Sequence, residues 1–427
     1  LTLSIVVLLL ILLAGGVPVA FSLGIAGTAG LLYLGGPSIA AGILGTAPLS
    51  AVTSFELISV PMFLLMAEFV ILSDVAHQLF RTAATWVGRV PGGLGIATAL
   101  AGAGFGAISG SSTASAATLS AITVPAMMKQ GYEPKMACGV VAISGTLAML
   151  IPPSVALVLY GIIADVNIGK LLIAGIIPGL LVMVTIILTV YTLVKLDPSR
   201  APLGSSYTMA EKIRSLGAIG PVLLLFMAVT GTIYTGIATP TEASGLGAFG
   251  AFLIALWRGK VNRSTLIKAL VSAAGTSCMI FLIIVGARVF GYFITLTQTT
   301  QGLVTAVGAW EVSPYVILML IVLMYVILGA IMDQIAILIL TVPVVLPVIV
   351  SLGFDPIWFG VLVVIIAEIG LLTPPVGLNV FVVARYTGRA AREVFAGVWP
   401  HVFAHFIVIG LMIAFPWLIT WLPSRMQ

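Results

Sequence analysis

Charge is scarce in this chain. Of 427 residues, 7% are Asp, Glu, Lys or Arg and 61% are hydrophobic, whereas a soluble domain carries about 25% charged residues. That balance excludes a water-soluble globular protein. Cysteine is scarcer still. Cys138 and Cys278 lie far apart in apolar stretches, without CxxC or metal-ligand spacing, so they read as small apolar filler rather than a disulfide or thiolate site. Of three histidines, His401 and His405 stand four apart and can share a helix face. No third ligand is near them, and Trp399 beside them suits a membrane interface better than a zinc site. There is no Walker A motif, so the chain does not itself hydrolyse ATP. Without a nucleophile elbow or an HExxH motif, neither an enzymatic reaction nor an organic cofactor is expected. The 18 basic residues exceed the 13 acidic ones, but they fall in short loops between apolar runs. They therefore speak of membrane topology, not of nucleic acid.

What is present is long apolar sequence in a lipid bilayer's register. Runs such as Leu171–Val194 suit a hydrocarbon core about 30 Å thick. Leu1–Leu13 has no positive n-region and its apolar run continues past Pro18 to Tyr33, so it reads as a span and not a cleaved signal peptide. Helices are expected at about 3–33, 37–53, 55–75, 132–150 with 153–166, 169–195, 216–235, 240–257, 268–296, 356–372 with 376–386, and 394–421. Two further segments, 92–130 and 313–352, are too long for one span and polar at the centre. Each reads as a re-entrant hairpin of two half-helices, which is tolerated at membrane depth only where protein or a watery cavity covers the break. Amphipathic segments at 75–89 and 297–310 precede the hairpins and can lie along the interface. Placing Arg81, Arg89, Lys129, Lys195, Arg200, Arg258 and Arg385 in the cytoplasm lets the spans alternate without conflict. Both termini then face the periplasm, and the two hairpins enter from opposite sides.

The chain repeats itself. Gly106-Ala107-Ile108 returns as Gly329-Ala330-Ile331, and Pro125, Gly131, Pro134 and Pro152-Pro153 return as Pro347, Gly353, Pro356 and Pro374-Pro375. From Pro125 onward the offset is a constant 222 residues (125 to 347, 131 to 353, 134 to 356, 152 to 374). Matched Gly/Pro-broken segments in two halves of a membrane protein point to a transporter's binding site.

The first tip, Ser109-Gly110-Ser111-Ser112-Thr113, carries small neutral oxygens, and Pro152-Pro153 frees backbone carbonyls by removing donors. The second copy has Asp333 at its tip and then Thr373-Pro374-Pro375-Val376-Gly377-Leu378-Asn379. Oxygen ligands without thiols or imidazoles suit a hard cation such as Na⁺. One Na⁺ site is expected at Ser109, Gly110, Ser111, Ser112, Gly145, Ile151 and Pro153. A second is expected at Gly329, Asp333, Thr373, Val376 and Asn379, and substrate at Ser112, Thr113, Ser154, Arg288 and Asn379. The competing reading of the first tip is plain helix packing by Gly102, Gly104, Gly106 and Ser111–Ser115. For Asp333 it is a buried structural carboxylate, although an intramembrane acid is functional by default. Glu242 reads as a helix cap. Glu68 and Arg288 either pair with each other or leave Arg288 for an anion, and the role of Glu368 is open.

Taken together, Gly106–Ser112, Gly131-Tyr132, Ile151–Ser154, Ala238–Ala243 and Thr373–Asn379 resemble the large membrane subunit of tripartite ATP-independent periplasmic (TRAP) transporters, over the whole chain. One departure is Ala67 before Glu68, where many relatives have glycine. The resemblance implies an all-α, elevator-type transporter of the ion-transporter superfamily, in a bacterial inner membrane and driven by a Na⁺ gradient. It also implies a small four-helix membrane subunit (Q-type), a periplasmic substrate-binding protein (P-type), and a small organic anion such as a C4-dicarboxylate or sialic acid as cargo. Scaffold helices are then expected at 1–75 and 169–296, the latter including an inter-repeat loop at 197–214, with a C-terminal transmembrane helix in 394–427. Arm, hairpin and broken helix would form transport elements at 76–168 and 297–393. The rival readings are a binding-protein-independent Na⁺/dicarboxylate symporter of the same fold, and an ion channel, which also uses re-entrant loops.

Overall fold

A computed structural model describes residues 1–426. Among them regular structure is entirely helical, and seven helices are long and apolar enough to cross a membrane. The protein is a multi-pass membrane protein.

The chain opens with α1 (Thr2–Ala14) and α2 (Val19–Val52). The expected single helix at 3–33 is not formed. Gly15, Gly16 at φ +79° and Pro18 break it. The break reverses the chain. Thr2 Oγ1 lies 3.2 Å from Thr299 Oγ1, whereas α2 runs back toward that same end, with Ala20 against Gly286, Gly27 against Phe290 and Gly30 against Phe293. Residues 19–33 thus run parallel to the helix containing Phe290, opposite to the direction expected for them. A second kink, with Gly36 at φ +64°, divides α2 again.

Next come α3 (Ser59–Leu72), the amphipathic α4 (Val75–Val87), and the pair α5 (Gly93–Ser109) and α6 (Ser112–Lys129). Helices α7 (Pro134–Gly145) and α8 (Val155–Ala164) follow, separated by a short 3₁₀ turn and the Pro-Pro break. Then come α9 (Ile168–Ala174), α10 (Ile176–Leu196) and α11 (Met209–Tyr234). Helix α11 begins seven residues before the expected position 216, because Thr208 and Glu211 close a capping box in which the Thr208 amide donates to Glu211 Oε2 at 2.7 Å. Helix α12 (Pro240–Trp257) starts with the same device: the Thr239 amide donates to Glu242 Oε2 at 2.8 Å, so Glu242 is a cap. The second half holds α13 (Arg263–Leu296), α14 (Thr299–Gly308), α15 (Pro314–Gly329), α16 (Gln334–Ser351), α17 (Pro356–Gly370) and α18 (Leu378–Thr387). The chain closes with α19 (Ala391–Ala414) and α20 (Trp417–Thr420), divided at Phe415-Pro416 where one helix over 394–421 was expected.

Two groups of helices pack side by side. In one, α2 lies along α13 and α3 along α12, with the Phe69 and Phe252 rings 5.2 Å apart. Arg258 ties this group together, donating to the Ser73 carbonyl at 3.1 Å and the Ala218 carbonyl at 2.8 Å. Its outer faces stay apolar and exposed, as at Leu223, Leu224 and Met227 of α11, which is the surface a bilayer demands. The other group is the protein's core. Every residue of α17 from Trp358 to Gly370 is buried, as is α7 from Met136 to Gly145. Close backbone approach makes this density possible, and a Cβ on Gly397 of α19 would strike the Lys135 backbone.

The loop after α10 is ordered. Asp197 is hydrogen-bonded by Ser199 and Arg200, which holds its carboxyl below the usual carboxylate range. From this loop the Arg200 carbonyl accepts from the Glu133 amide at 2.7 Å and the Pro202 carbonyl from Gln130 Nε2 at 2.9 Å.

Candidate functional site

Each expected hairpin is two helices meeting at a turn, and each Pro-Pro sequence ends one helix before the next begins. At the first tip Gly110 has φ +57°, a left-handed conformation that favours glycine. Ser111 then caps α6, its Oγ accepting from the Ala114 amide at 3.4 Å, and Ser109 Oγ lies 2.7 Å from Ser115 Oγ. The tip seats on the first broken helix. A Cβ at Gly110 would stand 3.3 Å from the Pro153 carbonyl, and one at Gly145 would stand 2.9 Å from the Ser112 carbonyl. Ser154 caps α8, accepting from the Leu157 amide at 3.2 Å and donating to the Met149 carbonyl. Ser109, Gly110, Ser112, Gly145, Ile151, Pro153 and Ser154 are buried, with Ser111 and Thr113 half-buried.

The second tip repeats the arrangement with different chemistry. Asp333 caps α16, Oδ2 accepting from the Ile335 amide at 3.1 Å. The Val376 amide donates to the Ala330 carbonyl at 3.1 Å, and Gly329 meets Gly370 backbone to backbone. Thr373 Oγ1 donates to the Gly370 carbonyl at 2.9 Å. Gly377, at φ +59°, starts α18, and Asn379 behind it is fully buried with neither Oδ1 nor Nδ2 hydrogen-bonded.

The halves interlock reciprocally: α6 packs on α18, and α8 on α16. Tyr160 of α8 lies over Gly360 and its hydroxyl donates to the Pro356 carbonyl at 2.7 Å. Two residues outside the expected site sets join the cluster: Glu368, whose role the sequence left open, and Gln334. Glu368 on α17 is 2% exposed, has Ser112 and Asp333 as polar neighbours, and neither carboxyl oxygen has a hydrogen-bond partner. Gln334 donates through Nε2 to the Val364 carbonyl at 3.1 Å, leaving Oε1 buried and unpartnered. The available signal was a carboxylate inside the apolar run 361–369, where an acid is costly.

The site therefore joins the C-terminal ends of α5, α7, α15 and α17 to the N-terminal ends of α6, α8, α16 and α18. The former carry partial negative charge, suited to a cation, and the latter partial positive charge, suited to a carboxylate. Its unpartnered atoms are mainly oxygens (Gln334 Oε1, both Glu368 oxygens, Asn379 Oδ1). That donor set suits a hard cation.

Other expected contacts are not formed. Glu68 accepts from Ser272 Oγ at 2.5 Å, so the pairing with Arg288 is absent. The two partners sit 16 residues apart along α13 (272 to 288), roughly 24 Å at 1.5 Å per residue. Arg288 lines a separate cavity that includes none of the tip residues. His405 Nδ1 lies 2.8 Å from the His401 carbonyl, and no third ligand stands beside the pair among the described residues.

Comparison with known proteins agrees with this architecture. Residues 6–418 match the family described as tripartite ATP-independent periplasmic transporter, DctM component. The C4-dicarboxylate TRAP transporter large permease protein DctM of Vibrio cholerae is 32% identical, over 99% of this chain and 98% of its own length. The sialic acid TRAP transporter large permease protein SiaM of the same organism is also 32% identical, over 97% of this chain and 96% of its own. The crystal structure of the Alcanivorax borkumensis YdaH transporter superposes with a TM-score of 0.69 at 16% identity, covering 91% of each chain, which shows a shared fold. This chain belongs to the DctM family of TRAP transporter large permeases.

Proposed function

We propose that the chain is the transport subunit of a Na⁺-coupled importer of a small organic anion, delivered by a periplasmic binding protein. The observation that carries this reading is the meeting of two hairpin tips with two broken helices around unpartnered oxygens. In this reading Ser109, Gly110, Ser111, Ser112, Gly145, Ile151 and Pro153 hold one Na⁺. Gly329, Asp333, Thr373, Val376 and Asn379 hold the other. Hydroxyls and amides of Ser112, Thr113, Ser154 and Asn379, at helix N-termini, receive the substrate carboxylate between them. Arg288 takes no part in that contact. Relatives named for a C4-dicarboxylate and for sialic acid both carry carboxylates, which supports the substrate class.

The constant 222-residue offset and the reciprocal packing of α6 with α18 and α8 with α16 support two related halves of inverted orientation. Helices α5–α8 and α15–α18 form the moving block, α2, α3 and α10–α13 the scaffold, and α4 and α14 the arms between them. The protein lies in a bacterial inner membrane with both termini periplasmic. It works with a small four-helix membrane subunit and a binding protein, as the word tripartite in the family name supports.

Proteoliposomes carrying the membrane subunits test this. Uptake of a carboxylate is expected only with its binding protein outside and Na⁺ outside. Uptake without the binding protein would instead identify a self-sufficient symporter, and a Na⁺ current without substrate would identify a channel.

A further inference from the structure

One cavity of the molecule lies away from the hairpin tips. It measures about 450 Å³, within the range of about 300–1,000 Å³ typical of small-molecule sites. Its two sides differ in chemistry. One side carries Arg288 and Tyr292 of α13, Ser54 and Thr300. None of these four side chains makes a hydrogen bond within the described residues, and Arg288 has no carboxylate within ion-pair distance. The lining that comes from α8 and α16 is hydrocarbon, as at Ile163, Leu340 and Pro343. No acidic side chain lines the space.

Arg288 is exposed to this cavity and carries its charge without a protein partner. Arg288 stands eight residues before the end of α13, roughly 12 Å along a helix. Glu68, the acid expected to pair with Arg288, is hydrogen-bonded to Ser272, roughly 24 Å away along α13. Three unpartnered hydroxyls around one unpaired guanidinium offer donors suited to an anion. The guanidinium fork matches the planar oxygens of a carboxylate or phosphate.

The apolar wall decides which anion. A dicarboxylate held by Arg288 would find no charged partner for its second carboxylate in the lining from α8 and α16, which offers only hydrocarbon. An anion with one charged head and a hydrocarbon remainder satisfies both sides. We propose that this cavity is a second anion site, distinct from the transport site, for a singly headed amphiphile with a phosphate or carboxylate on Arg288 and its chain along α8 and α16. The ligand can come from the bilayer, as an anionic phospholipid, or from solution, as a monocarboxylate. Because the walls come from α13 on one side and from α8 and α16 on the other, a bound amphiphile bridges the two helix groups.

The site is tested without measuring transport. Cys278 is exposed and is first replaced (Cys278→Ala). Ile163→Cys then places a thiol in the cavity wall, and its maleimide labelling rate is followed in reconstituted membrane subunits. Three conditions are compared: phosphatidylcholine vesicles alone, with phosphatidylglycerol added, and with dissolved octanoate or succinate. Phosphatidylglycerol slowing the labelling assigns a bilayer lipid, and octanoate alone slowing it assigns a dissolved amphiphile. In either case Arg288→Gln is expected to raise the half-protecting concentration roughly tenfold, the worth of a charged hydrogen bond. Arg288→Lys, which keeps the charge without the fork, should fall between. An unchanged labelling rate of Arg288→Gln without anion shows that the cavity is intact. Protection by neither amphiphile, equal protection in Arg288→Gln, or protection by succinate matching octanoate would each overturn the proposal.

Discussion

The Val376 amide donates to the Ala330 carbonyl across 3.1 Å, latching the Pro-Pro break of the second half to the tip of its hairpin. This one bond joins two segments 46 residues apart in sequence (330 to 376) and fixes where Asp333 and Thr373 stand relative to each other. Beside it, Gly329 and Gly370 touch backbone to backbone. A Cβ on Gly329 would stand 2.8 Å from the Ala367 carbonyl and from Gly370 Cα. Gly329→Ala is therefore expected to destabilise by about 1–3 kcal/mol through overpacking and to lower uptake. Gly275→Ala, in open space on α13, is the control, expected to be neutral or stabilising by about 0.5–1 kcal/mol. Thermal melts of the purified protein decide, and equal melting of the two variants would contradict the close approach.

Asp333 brings a carboxylate where the first tip has only serines. Asp333→Asn keeps the shape and loses the charge. It should leave expression intact and raise the Na⁺ concentration for half-maximal uptake on the order of tenfold, since charge-assisted contacts are about twice as strong as neutral ones. An unchanged Na⁺ dependence would make Asp333 a helix cap and nothing more.

Much of this site was legible in sequence because its chemistry is local. Gly110, the Pro-Pro pairs and the Ser and Thr hydroxyls break and cap helices by themselves, and Glu242 met its Thr239 partner three residues away. Other features were hidden by tertiary distance. Nothing local ties Gln334 to Val364 or Glu68 to Ser272. The reversal at Gly15–Pro18 was missed because the apolar run continues through it, although Gly-Gly-Val-Pro was the punctuation to read. The order of the 197–204 loop was illegible for another reason: its bonds from Glu133 and Gln130 end on backbone carbonyls, which any residue offers.

Topology follows from positive charge and is open to a labelling test. In a Cys278→Ala background, Ser206→Cys in the exposed loop before α11 should react with an impermeant maleimide only from the cytoplasmic side. Glu311→Cys, in a loop without Lys or Arg, should react from outside. Labelling of position 206 in intact spheroplasts would overturn the orientation.

Motion of the hairpins as a block is tested by cross-linking. Leu100 of α5 and Ile219 of α11 line one crevice between the proposed block and the scaffold. Tying cysteines at these two positions should abolish transport. Tyr315 and Phe354, whose rings are 5.6 Å apart, lie within the block, and a cross-link there should be tolerated. Full activity with the Leu100–Ile219 link complete would reject the elevator in favour of local gating.

The most direct test of the account sets Na⁺ against protons as the driving ion. Proteoliposomes with the wild-type membrane subunits and the cognate binding protein are given an inward Na⁺ gradient, or an inward proton gradient in Na⁺-free buffer. The oxygen-rich cluster at the two tips predicts uptake under the first condition and background under the second. Full-speed uptake driven by protons without Na⁺ would contradict it.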